Sequence, residues 1–156
     1  MTTLIKNGTI ITATDMYKAD LLVKNGVITE IGSEISKIAS EIIDAADKWV
    51  LPGAVDVHTH MDAKCDGMTT VDDFETGTTA AAAGGTTTIL DYAEQAPGTS
   101  LTQTLKEWKA KAESHSVIDY GFHLALSEIN EEILSQIPGA VEIKCSEFAG
   151  RMLAKM

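Results

Sequence analysis

The feature that most narrows the fold is a change of rhythm at Pro52-Gly53. Before it, β-rich runs are separated by Asn-Gly pairs. After it, strand and helix patterns alternate. "AVDVH" (54–58) reads as a strand, "TVDDFETGTTAAAAGG" (70–85) as a helix, "TTTILDY" (86–92) as a strand and "SLTQTLKEWKAKAES" (100–114) as a helix. "VIDYGFHLAL" (117–126) is a third strand, and "NEEILSQIP" (130–138) a short helix that Asn130 caps and Pro138 stops. "GAVEIKCSEF" (139–148) opens a fourth strand. Strands alternating with helices at this spacing are βαβ units, which need a parallel sheet. They amount to about half of a (β/α)8 barrel of about 250 residues. An open doubly wound sheet is the other way to complete the pattern.

Local signals fill in this outline. Thr70 is placed to cap the first helix with Asp73 as its capping-box partner, and Gly84 to end it at C′. Gly77 weakens that helix from within. Ser100 caps the second helix, whose Leu101, Leu105, Trp108 and Ala112 share a core-facing stripe. In the first part, Asn7-Gly8 and Asn25-Gly26 each predict a type I′ hairpin turn. "EIIDAADKWVL" (41–51) adds a strand pair around a polar turn. Residues 1–51 are therefore expected to form a small antiparallel sheet, and residues 52–156 the strand–helix part.

"AVDVHTHMD" (54–62) carries the chemistry. Side chains on a strand alternate, so His58 and His60 share a side and Thr59 points away. Ala54, Val55 and Val57 read as a buried parallel strand, interrupted by Asp56 on the histidines' face. Two neutral imidazoles converging at a strand end suit a divalent metal such as zinc. The same pair also reads as surface histidines at a strand–loop junction. Asp91, closing the second strand, is expected either to face the sheet's mouth and orient a histidine or to cap a loop. His123 reads as a hydrogen-bonded core histidine, and His115 as a helix-end or surface residue. Cys65 reads as an ordinary reduced cysteine or a soft extra ligand.

Charge and cysteine usage limit the partners. A formal net charge of −11 argues against nucleic acid and anionic membrane, which reward basic surfaces. Two distant cysteines make no disulfide framework, so a reducing cytoplasm is expected. No signal peptide or bilayer-spanning stretch is evident.

"PGAVDVHTHMD" (52–62) resembles the Pro-Gly-x-x-Asp-x-His-x-His pattern of the amidohydrolase superfamily. "DDFETGTTAAAAGGTTTILDYAEQ" (72–95) and "VIDYGFHLALSEINEEIL" (117–134) are similar to the dihydropyrimidinase and D-hydantoinase group. So is the opening "LIKNGTIITATDMYKADLLVKNGVITEIG" (4–32). The resemblance implies a (β/α)8 metallo-hydrolase barrel beside a small β-sandwich, of which this chain is the N-terminal portion with the barrel incomplete. It implies a binuclear divalent metal site, usually zinc, with His58 and His60 as ligands of one metal. A carboxylated lysine from the fourth strand, with histidines and an aspartate from later strands, would complete it. The implied reaction is hydrolytic opening of a dihydropyrimidine or hydantoin ring. The implied partners are a small cyclic amide and, at full length, further copies of the chain.

Two stretches depart from that group. "KCSEFAGRMLAK" (144–155) puts Ala149 or Gly150 where the bridging lysine belongs, and Lys144 and Lys155 miss the place. "AKCDG" (63–67) replaces an apolar loop and brings Lys64 and Asp66 to the pocket mouth. The expectation is a cyclic amidase by ancestry, inactive as this fragment alone. The alternatives are a non-catalytic association module or a remnant of the same fold.

Overall fold

The computed structural model describes residues 1–65 and 67–141 of the 156. Its contacts divide the chain into two compact units, Met1–Pro52 and a second that begins at Gly53.

The first unit is one mixed sheet. β1 (Thr2–Ile11), β2 (Met16–Lys24) and β3 (Val27–Gly32) pair antiparallel. β4 (Glu41–Asp44) and β5 (Trp49–Val50) both pair parallel to β1, not with each other. The expected antiparallel sheet is thus corrected to a mixed one. Asn25-Gly26 forms its turn with positive φ at both residues, 51° and 79°, as a type I′ turn demands. Asn7-Gly8 does not turn the chain. It lies inside β1, where the register with β2 slips between Ile5 and Gly8. Asn7 takes φ 63°, and its N–H donates to the buried Asp20 Oδ1 at 2.9 Å. Leu4, Leu22 and Ile35 form the small core.

The second unit holds a three-stranded parallel sheet ordered β10-β9-β6: β6 is Ala54–Thr59, β9 Thr86–Glu94 and β10 Asp119–Ala125. Between β6 and the first helix, β7 (Lys64–Cys65) and β8 (Met68–Thr69) make a two-residue ribbon. Helices α1 (Phe74–Ala83) and α2 (Leu101–Glu113) follow β8 and β9, and α3 runs over 131–141 among the described residues. Phe74, Ile89, Leu101, Leu105, Ala112, Phe122 and Ile133 pack as one core. This is the predicted alternation, with four local corrections.

Asp73, not Thr70, caps α1: its carboxylate accepts the Thr76 N–H while the Thr76 hydroxyl accepts the Asp73 N–H. Thr70 instead receives the Ala63 N–H. The left-handed residue after α1 is Gly85, at φ 90°, rather than Gly84. The helix begun by Asn130, whose Oδ1 accepts the Ile133 N–H, passes through Pro138. An interior proline costs a helix about 3 kcal/mol. Burial of Ile133 and Ala140 offsets it, at about 1.5–3 kcal/mol for the isoleucine alone. Residues 139–141 are therefore helical and do not open a fourth strand. The rest of that strand, and the positions weighed for a lysine at 144 and 149–155, lie outside the described residues, as does Asp66.

The fourth correction bears on the histidines. Among the described residues β6 is an edge strand, and Val55 and Val57 are 54% and 56% exposed rather than buried. It is also bulged: Asp56 pairs with Ile89 and Thr59 with Asp91, so Val57 and His58 stand opposite Leu90 alone. Gly53 enters the strand so close to Thr87 that a Cβ there would lie 2.2 Å from its side chain.

Candidate functional site

At the carboxyl end of the parallel sheet the described side chains bring together His58, His60, Tyr92, Glu94 and His123. The end of β9 supplies Tyr92 and Glu94, one strand period apart. Thr59 points to the opposite side, where its hydroxyl donates to Asp91 Oδ1 at 2.7 Å. That fixes the sense of the alternation. The two histidines flanking Thr59 turn to the other face despite the bulge.

His58 and His60 meet nitrogen to nitrogen, Nε2 to Nε2 at 3.3 Å. Tetrahedral zinc with bonds of about 2.0–2.1 Å holds neighbouring nitrogens about 3.3 Å apart. The pair therefore has the spacing of two ligands of one ion. On its other side, His60 Nδ1 lies 3.2 Å from Glu94 Oε1. A carboxylate only accepts, so Nδ1 carries a proton, and in the neutral ring the Nε2 lone pair faces His58. This is how a metal-binding imidazole is ordinarily oriented. Tyr92 stacks on His60 at 5.0 Å and 10°, and lies 4.6 Å from the His58 ring. Among the described residues no group of three or more His, Cys, Asp and Glu side chains gathers to hold an ion. The two imidazoles offer one pair of ligands.

Asp91 does not face the mouth and touches neither imidazole. It is 0% exposed and holds the backbone that carries them. Its Oδ1 accepts the Thr59 hydroxyl and the Met61 N–H, the latter at 2.8 Å. Burial pushes its carboxyl above the ordinary 3.8, against the pull of the Met61 N–H, the Thr59 hydroxyl and the Trp108 indole. Asp91 Oδ2 and Trp108 Nε1 are nevertheless both buried without completing a hydrogen bond. Met61 packs over Gly77 of α1, where a Cβ would come 2.3 Å from its sulfur. The glycine that weakens α1 thus makes room for the loop after His60.

The remaining candidates lie apart from the pair or serve the backbone. Asp56 accepts the His58 N–H at 3.1 Å. Lys64 is exposed, and Cys65 pairs with Met68 in the short ribbon. His115 Nδ1 donates to the Lys111 carbonyl at 2.9 Å, a cap on the end of α2. His123 is half-buried beside Tyr92 rather than in the core, with ring centres 5.0 Å apart. Sequence reasoning missed Glu94. Its signal was the spacing Tyr92–Glu94 at the end of a parallel strand next to β6.

Comparison with known proteins finds relatives of this chain. The profile of the amidohydrolase family matches residues 49–155. A D-hydantoinase of Geobacillus stearothermophilus is 50% identical over 142 residues, covering 91% of this chain and 30% of the relative. A crystal structure of a D-hydantoinase superposes with a TM-score of 0.89 at 49% identity, over 92% of this chain and 31% of that one. A dihydropyrimidinase from Brevibacillus agri superposes with a TM-score of 0.87 at 43% identity, over 90% and 31%. The chain spans about 30% of the length of the relatives it matches.

Proposed function

This chain belongs to the amidohydrolase family, and from that premise we propose that it carries the first metal-ligand pair of a cyclic amidase. Its strands and helices correspond to the N-terminal part of the hydantoinase fold, with the barrel incomplete. His58 and His60 bind one divalent ion, zinc by the chemistry of the donors, through their Nε2 atoms. The observation that carries this reading is the 3.3 Å separation of those atoms. A divalent metal at such a site lowers the pKa of water and polarises an amide carbonyl. Glu94 keeps the His60 proton on Nδ1 and so keeps Nε2 open to the ion. Tyr92 stacks against His60 and limits its rotation. Asp91 anchors the residues on both sides of His60, through the Thr59 hydroxyl and the Met61 N–H. The substrate class is a hydantoin or dihydropyrimidine ring. Among the described residues two imidazoles do not complete a binuclear centre, and in this reading the chain by itself binds metal without turning over.

Cobalt titration followed by visible absorption, with zinc as competitor, tests the reading. One ion per chain is expected, lost in His58→Ala and in His60→Ala. Binding that is absent from the wild type, or unchanged in His58→Ala, would sink it. Zinc-dependent ring opening by the chain alone would overturn the claim that it does not turn over. A second reading, association through the same fold without catalysis, draws on the exposed valines of edge strand β6. It predicts concentration-dependent oligomers that are indifferent to His58→Ala.

A further inference from the structure

The bulge in β6 leaves a backbone group to be accounted for. Opposite Leu90 the strand carries two residues, Val57 and His58, where regular pairing has room for one. Ladder partners around such a site are lost, and the local backbone needs another support. The Val57 carbonyl finds it across the sheet. His123 Nε2, from β10, lies 2.9 Å from the Val57 oxygen, reaching over the intervening strand β9. A carbonyl only accepts, so His123 Nε2 carries the proton and donates it. Tyr92 lies beneath this span, with its ring 5.0 Å from His123 and 4.6 Å from His58.

We propose that His123 is a positioning residue for the metal pair: it clasps the Val57 carbonyl, fixes the bulge and so aims the His58 ring at His60. The contact lies on the solvent side of the sheet. There a hydrogen bond competes with water and adds little to folding, so its effect is on geometry. His58 is the residue next to the clasped carbonyl, and a change in the Val57–His58 peptide plane turns its side chain directly. His60 has its own brace in Glu94. The division is one support for each ligand, from two different strands. His123 touches neither imidazole nitrogen of the pair and is not itself a ligand in this scheme.

The inference rests on the metal reading, and its test separates the two. His123→Gln and His123→Met are close in size, and only glutamine can donate to the Val57 oxygen. Cobalt affinity is measured for the full chain and both variants, with circular dichroism confirming the fold. Ring 15N spectra of the metal-free proteins report the environment of His58. His123→Met should weaken cobalt binding about tenfold, the usual effect of losing a supporting contact. His123→Gln should restore most of the loss, and the His58 ring signals should move in the methionine variant alone. Equal affinity in wild type and His123→Met, or equal loss in both variants, overturns the proposal. If the wild type binds no cobalt, the metal reading fails and the ring spectra decide. A His58 shift in His123→Met that His123→Gln reverses upholds the clasp, and unchanged or equally shifted spectra refute it. Should His123→Met fail to fold, the glutamine variant still decides: a tenfold loss or a displaced His58 signal there overturns the clasp, and wild-type behaviour upholds it.

Discussion

The two faces of β9 do different work within one strand. Ile89, Asp91 and Ala93 are completely buried. Tyr92 and Glu94, in the same stretch, meet the imidazoles on the other side. On the buried face Asp91 is held through one oxygen, Oδ1, which takes a hydroxyl and a backbone N–H. On the other face, titratable rings stay within reach of a ligand. The strand's period of two thus separates what holds the unit together from what it could bind. Changes on one face should alter stability, and changes on the other should alter affinity.

Replacing a core residue should break this comparison hardest on the folding side. Phe74 is 0% exposed and meets Phe122 edge-on at 6.3 Å. Phe74→Ala should cost about 3–5 kcal/mol in urea unfolding, whereas His58→Ala should stay within about 0.5 kcal/mol of wild type. A reversed order would mean that the faces are not separated.

Asp91 sharpens the comparison, because it touches both functions. Asp91→Ala strands the Thr59 hydroxyl and the Met61 N–H and should cost about 1–3 kcal/mol, with weaker cobalt binding as a consequence. Its ionisation has a definite sign. The folded carboxyl titrates above the ordinary 3.8, so the folded state binds the proton more tightly than the unfolded chain. Its contribution to stability is full below 3.8 and is lost as pH rises through the raised folded value. The stability of wild type relative to Asp91→Asn should fall over that window and then level off. Urea midpoints for both proteins across that window provide the check.

Glu94→Gln should have the smallest effect on folding. It removes the charge that holds the proton on His60 Nδ1 and should lower cobalt affinity about tenfold. The urea midpoint should not move. A shifted midpoint would place Glu94 among the supports of the fold.

Much of this arrangement was legible in the sequence, where short-range chemistry decides. Asn25-Gly26 turns because both residues accept positive φ. Ser100 caps α2 through the Gln103 N–H. The side shared by His58 and His60 follows from period two. The misreadings lie where partners distant in sequence choose. Asn7-Gly8 carries the same dipeptide as a true turn, but Asp20 receives its N–H and β2 pairs past it. Thr70, Asp72 and Asp73 crowd the start of α1; Thr70 is taken by the Ala63 N–H, and Asp73 caps the helix in a reciprocal pair with Thr76. Val55 and Val57 are exposed on a strand that pairs with β9 alone among the described residues, and hydrophobicity along the strand does not encode its place in the sheet. Glu94 and His123 reach β6 only once three strands are side by side.

Gly53 constrains how this chain can change over generations. Every replacement for glycine adds a Cβ, and here it would overlap Thr87, whose own Cβ lies 2.7 Å from that position. Trimming Thr87 to alanine leaves that atom in place. Accessible mutational paths are therefore ordered: Thr87→Gly, or a displaced β9, has to come before Gly53 can vary. Glycine would persist at the root of the histidine strand even in lineages that no longer use the metal, because the neighbouring strand enforces it.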